Sequence, residues 1–167
     1  MPPIEIRRLT PADAEDCRTI RLKALRTAPE AFGSVLAVEE GRTLAEFAER
    51  LESSAVFGAY AGSRIVGMVG FKQETGPKDR HKGLVWGFYV EPEARGQGGG
   101  AALMEALVAH ARGLVEQLTL AVVTDNAAAI ALYRRLGFET YGVEPRALKG
   151  PDGYADEALM VLFLRPD

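Results

Sequence analysis

The period of apolar and polar positions changes several times along the chain, and each change marks an element. Residues 4–9 (Ile-Glu-Ile-Arg-Arg-Leu) alternate, which predicts a short half-buried strand. Thr10, Pro11 and Asp13 then read as a helix start: a capping hydroxyl, a proline in the first turn and an acid three residues after the cap. Cys17, Ile20 and Ala24 recur at helical spacing behind it, and Pro29 closes a helix that runs toward Arg26. Residues 30–34 predict an ordered loop. Thr43 and Glu46 form a second capping box, and Leu44, Phe47, Ala48 and Leu51 give the short helix behind it an apolar face. Two β-prone runs, 56–61 and 65–71, flank Gly62-Ser63, a two-residue hairpin signal. Residues 75–82 are polar, contain Gly76-Pro77 and predict an exposed loop.

A further apolar run, 84–90, predicts a strand. After a glycine-rich interval a helix carries Leu103, Leu107, Val108 and Ala111 on one face and stops at Gly113. The unbroken apolar run 118–123 predicts a strand covered on both faces. Asn126 caps a helix through Leu136, with Gly137 just past its end. Strands 138–143 and 154–164 close the chain around Gly150-Pro151-Asp152-Gly153. The order β-α-α-β-β-β-α-β-α-β-β predicts one α/β (α+β) domain over residues 1–167, a mixed sheet with helices on both faces.

Chemistry concentrates where the 84–90 strand gives way to a helix. Between them stand Glu91-Pro92-Glu93-Ala94 and then Arg95-Gly96-Gln97-Gly98-Gly99-Gly100-Ala101. A glycine loop that opens a helix leaves backbone N–H groups unpaired at the positive end of the helix dipole, which makes an anion site. The loop satisfies Gly-x-Gly-x-x-Ala, so a dinucleotide-binding oxidoreductase has to be weighed. Five residues separate the strand from the first glycine, the acid expected at the end of the next strand has no match near the right distance, and too little chain follows for a doubly wound sheet. A Walker A loop is excluded, because no Gly-Lys-Ser/Thr closes it.

Composition narrows the partners. The net charge is −3 with basic residues scattered, so no nucleic-acid footprint is present. No apolar run approaches the roughly 18 residues of a membrane span, no leader pattern opens the chain, and the single Cys17 forms no internal disulfide. A cytoplasmic protein with no nucleic-acid or membrane partner is expected. Cys17 reads as a small core residue.

The stretch from Tyr89 through Arg95-Gly96-Gln97-Gly98-Gly99-Gly100 resembles the acetyl-CoA signature of the GNAT superfamily of N-acetyltransferases. A second block, Asn126, Ala129, Leu132-Tyr133 and Leu136-Gly137-Phe138, resembles that superfamily's other signature and follows in the right order. Residues 29–34 and 86–90 are similar to a bacterial branch of small single-domain members. The resemblance implies the GNAT-like acyl-CoA N-acyltransferase fold with a mostly antiparallel sheet, acetyl-CoA as cosubstrate with no metal, a small-molecule or peptide amine as acceptor, and a homodimer. It implies direct transfer in a ternary complex.

Acyl transfer sets requirements that can be matched to residues. The pyrophosphate of acetyl-CoA needs N–H donors, which Gly96, Gln97, Gly98, Gly99, Gly100 and Ala101 supply, with Arg95 adding a charge-assisted contact. The resemblance implies that the main chain of Phe88, Tyr89 and Val90 pairs with the pantetheine arm like an added strand. It implies also that an N–H near Val90 polarises the thioester, that Asn126 contacts the arm, and that Tyr133 is the general acid for the leaving thiolate. The amine must lose a proton, and the 84–90 strand lacks the glutamate that the best-known members carry there. Glu39, Glu40, His81, Asp156 and a water chain are the alternatives for the base. Acids around residues 32–40, helix 44–51 and hairpin 144–154, which should frame the acceptor, would suit a cationic amine. A CoA-binding module without turnover is the non-enzymatic alternative.

Overall fold

All eleven predicted elements are present, and one short helix is added. The computed structural model describes residues 1–165. Its elements are β1 (Ile4–Arg8), α1 (Ala14–Thr27), α2 (Leu36–Glu40), α3 (Leu44–Ser53), β2 (Ala55–Ala61), β3 (Arg64–Gln73), β4 (Lys82–Val90), α4 (Gly99–Ala111), β5 (Gln117–Val123), α5 (Ala127–Arg135), β6 (Glu139–Gly150) and β7 (Gly153–Phe163). The strands form one seven-stranded sheet in the order β1-β2-β3-β4-β5-β7-β6, and β4 with β5 is a parallel pair in an otherwise mostly antiparallel arrangement. The chain divides into two compact units, residues 1–72 with 85–111 and residues 73–84 with 112–167.

In the first unit, β1, β2 and β3 are an antiparallel meander with Ile6 opposite Ala59 and Val56 opposite Gly70. Both capping boxes form. The Thr10 N–H donates to the Asp13 carboxylate at 2.7 Å, and the Glu46 N–H donates to Thr43 Oγ1 at 3.2 Å while Glu46 accepts from the Thr43 N–H. Helices α1 and α3 cover one face of the meander. There Cys17, Ile20, Ala24, Phe47 and Leu51 pack with Val56, Tyr60 and Met68. Burying a side chain such as Phe47 contributes roughly 2 kcal/mol, so this cluster anchors both helices. Leu44 departs from the predicted face: it lies in the first turn of α3 and is 48% exposed. Adjacent strand residues point to opposite faces. Phe57, next to Val56, therefore meets the other side, where it and Phe71 stack edge-on against His110 of α4. Gly70 has no room for a side chain, because the ring of Trp86 occupies the place of a Cβ.

In the second unit, Lys82–Leu84 of β4 pair with Gln117–Thr119 of β5, and β5 pairs antiparallel with β7, Leu120 opposite Met160. The expectation that 118–123 is covered on both faces holds only in part. Leu118, Leu120 and Val122 are buried on one face; on the other, Val123 is buried and Thr119 half-buried, but Ala121 is exposed. Strand β6 also runs well past the predicted 138–143. The strand is mostly exposed and broken by register shifts, one at Thr140/Gly142 and one in its outer half at Glu144/Leu148, so no clean alternation marks it in the sequence. Arg146 sits in the second irregularity at φ 52°, and its N–H donates to Asp156 Oδ1 at 2.8 Å.

Candidate active site

The glycine loop is held from below by a carboxylate that the sequence does not advertise. Glu91, 1% exposed at the end of β4, takes Lys23 Nζ at 2.6 Å and Arg64 Nη1 at 2.5 Å, and its N–H donates to the Val66 carbonyl. A single 3₁₀ turn, Pro92–Ala94, then leads out to Arg95. Arg95 Nε donates to the Val90 carbonyl oxygen at 2.9 Å, tying the loop back to the strand it leaves. Gly96 and Gly98 both take φ 80°, a left-handed conformation that strains any residue with a Cβ, and neither has another atom within 4 Å of that position. The loop is therefore bent sharply and has open space beside it. The first helical bond belongs to Ala102, whose N–H donates to the Gly98 carbonyl. The amides of Gly99, Gly100 and Ala101 come ahead of it, at the positive end of the α4 dipole. Gly99 is buried against Ile4, while Gln97 is exposed and donates to Met1 Sδ.

Of the β4 residues, Tyr89 and Val90 are buried and Phe88 is half-buried. The Tyr89 hydroxyl shares a 2.7 Å hydrogen bond with Thr27 Oγ1. The first unit thus brings Phe88, Tyr89, Val90 and the Arg95–Ala101 loop together. In the second unit, Asn126 and Tyr133 share α5. Asn126 is its N-cap, with Oδ1 accepting from the Ala129 N–H at 3.3 Å. Tyr133, in the last turn, is 5% exposed, with its ring tilted against Phe138. Burial pushes its phenol above the ordinary tyrosine range, so it stays protonated through neutral pH.

The four proposed bases have different surroundings. Glu39 lies on the unpredicted helix α2, 3% exposed, and binds three arginines: Arg21 Nε at 3.1 Å, Arg42 Nε at 2.5 Å and Arg50 through both terminal nitrogens at 3.1 and 3.2 Å. Burial alone would push its carboxyl up, but Arg50, Arg21 and Arg42 outweigh it and hold the group at about 2. Glu39 is therefore a structural anion and too weak a base for an ammonium group. Glu40 is half exposed near Arg26, His81 gives its carbonyl to Glu116 and Gln117, and Asp156 is tied to Arg146. A fifth candidate, and the fourth carboxylate, escaped the sequence reading. Glu157 on β7 lies opposite Glu144 of β6, and burial together with that like charge raises its carboxyl. Only strand register reveals the pairing.

In the 32–40 region, expected to suit a cation through its acids, three guanidinium groups already surround the one buried carboxylate, Glu39, and Glu40 remains exposed. Two buried polar atoms among the described residues have no partner, Asp79 Oδ1 in a turn and Nη1 of Arg21. A buried donor left so costs about 1–3 kcal/mol. Among the described residues, no group of His, Cys, Asp and Glu side chains is arranged to hold a metal ion, and no helix is long and apolar enough to cross a membrane.

Comparison with known proteins agrees with this geometry. Residues 19–138 match the model of the acetyltransferase (GNAT) family. The chain is 32% identical to the N-alpha-acetyltransferase RimI of Mycobacterium tuberculosis over 91% of its own length and 90% of that protein's. It superposes on the GNAT-family acetyltransferase of Streptococcus pneumoniae with TM-score 0.86 at 24% identity, covering 97% of this chain and 99% of that one. With YncA of Salmonella typhimurium, solved with its cofactor acetyl-CoA, the TM-score is 0.82 at 25% identity, covering 98% and 95%.

Proposed function

Because the chain belongs to the acetyltransferase (GNAT) family and is an acetyl-CoA-dependent N-acetyltransferase, we propose a division of labour among its residues. The observation that carries it is the Arg95–Ala101 loop, bent by two glycines at φ 80° and open beside the start of α4. Its main-chain N–H groups hold the pyrophosphate, and Arg95 adds a positive charge. The main chain of Phe88, Tyr89 and Val90 aligns the pantetheine arm, with an N–H near Val90 toward the thioester oxygen and Asn126 on the arm. Acetyl-CoA supplies an activated acetyl group.

As the amine nitrogen bonds to the acetyl carbon, the carbon–sulfur bond breaks. Tyr133 gives its phenolic proton to the departing sulfur, and the amine's proton leaves to a base. Glu39 is withdrawn from that role by its three arginines. Glu40, His81, Asp156 and a water chain stand as before, and Glu157 joins them with a carboxyl shifted toward working pH. The acceptor is a primary amine of a small molecule or peptide, a reading supported by the N-alpha-acetyltransferase named above. One domain carries the reaction, in the cytoplasm, with a homodimer as the assembly to be read by light scattering.

Replacing Tyr133 by Phe is expected to lower kcat by roughly 100-fold or more with acetyl-CoA affinity unchanged. A kcat equal to wild type would reduce Tyr133 to a packing residue. If acetyl-CoA raises the melting temperature but no amine releases CoA, the chain is a CoA-binding module instead.

A further inference from the structure

The arginine cluster contains a donor that the fold itself does not use. Arg21 is 6% exposed, and it places Nε on Glu39 and Nη2 on Ser34 Oγ at 2.8 Å, leaving Nη1 without a partner. The guanidinium carbon lies 5.7 Å from the centres of both the Phe32 and Trp86 rings. Nη1 points at Gly87, in the middle of β4. Gly87 has φ 67° and no side chain, and the space a Cβ would take there is bounded by Met68 Cε at 3.2 Å and Arg21 Nη1 at 3.6 Å. Nη1 itself is buried, but Ser34, which Nη2 holds, is exposed and Trp86 is half-buried. Glu39 is already shared with Arg42 and Arg50, so the cluster has more positive charge than it neutralises.

An oxygen with negative charge satisfies both conditions at once: it accepts from Nη1 and balances the surplus. Gly87 immediately precedes Phe88, the first of the residues assigned to the acetyl-donor arm. We infer that Arg21 Nη1 binds a carboxylate oxygen of the acceptor, so that the amine this enzyme acetylates carries a carboxylate on the same small molecule. The inference rests on the acetyltransferase reading above and deepens it by naming the acceptor class.

The test compares acceptors that differ only in the carboxylate: α- and ω-amino acids, each beside its decarboxylated amine. CoA release gives kcat/KM, and fluorescence of Trp86, the only tryptophan in the chain, reports binding to the CoA-saturated protein. At least one amino acid is expected to exceed its decarboxylated partner by about 10-fold or more in kcat/KM and to change the Trp86 emission. Arg21→Lys keeps the charge but loses the planar fork, and it should erase that preference by raising the KM for the amino acid, with the KM for acetyl-CoA unchanged. Equal or better turnover of every decarboxylated amine overturns the inference, and this comparison needs no variant to fold. So does a protein that binds acetyl-CoA yet shows neither turnover nor an emission change with any amino acid at millimolar concentration. A protein that fails to bind acetyl-CoA is a different failure, which removes the acetyltransferase reading and this inference together.

Discussion

Two regions of the first unit are prepared for negative charge, and they are built in opposite ways. The Arg95–Ala101 loop offers main-chain N–H groups at the start of a helix, on residues with almost no side chain. The Arg21 cluster offers guanidinium groups from α1, α3 and the chain after α2, gathered around one buried glutamate. The loop's donors cannot titrate and cannot be lost by mutating a side chain; they can only be misdirected by changing the backbone. The cluster's donors exist only while Glu39 keeps them together. Backbone sites are therefore robust to pH and fragile to shape, and side-chain sites the reverse.

The most severe way to break the contrast is Glu39→Gln. It removes the charge that compensates Arg21 inside the protein and should lower stability by about 3–5 kcal/mol, seen as a large drop in melting temperature. A loss below about 1 kcal/mol would mean that solvent, not Glu39, balances the arginines. Acid probes the same difference without a mutation. The Glu39 carboxyl falls from its ordinary 4.5 to about 2 on folding, so its stabilisation is fully present above pH 4.5 and is lost as pH drops through 2. Across that window this stabilisation amounts to roughly 3 kcal/mol, and denaturant titrations of wild type and Glu39→Gln should converge as pH falls. Parallel curves would refute the assignment.

Gly98→Ala sharpens the other half. Strain at φ 80° should cost about 1–2 kcal/mol of stability with no clash, because nothing lies near the added methyl. Acetyl-CoA affinity should fall about 10-fold as the amides turn away, measured by calorimetry. Unchanged affinity would move the pyrophosphate elsewhere. The mildest change is Arg42→Ala. That guanidinium is 41% exposed, so its pair with Glu39 should contribute only about 0–1 kcal/mol, within reach of careful chemical denaturation.

The same contrast explains what could be read from the chain. A main-chain site writes itself into sequence, since Gly96 and Gly98 are demanded by backbone angles at fixed positions. Strands 55–61 and 64–73 with their Gly62-Ser63 turn were legible for a similar reason, as were both capping boxes. The cluster was not legible. Arg21, Arg42 and Arg50 stand 18, 3 and 11 residues from Glu39, a set with no period, and Glu39 sits on a five-residue helix too short to show one. Taken alone, Glu39 looked like an available base. The outer half of β6 and the exposure of Ala121 on β5 were missed because each depends on what the fold packs against a strand rather than on the strand's own residues.

Cys17, on the buried face of α1 at 0% exposure, has one practical consequence. Burial pushes its thiol up to about 11, so at neutral pH almost no thiolate exists and no reagent can reach the sulfur without unfolding the core. It is also the only cysteine in the chain. A thiol-reactive dye added to the folded enzyme therefore reports free CoA, and any slow signal without acceptor measures either hydrolysis of acetyl-CoA or opening of the protein that exposes Cys17.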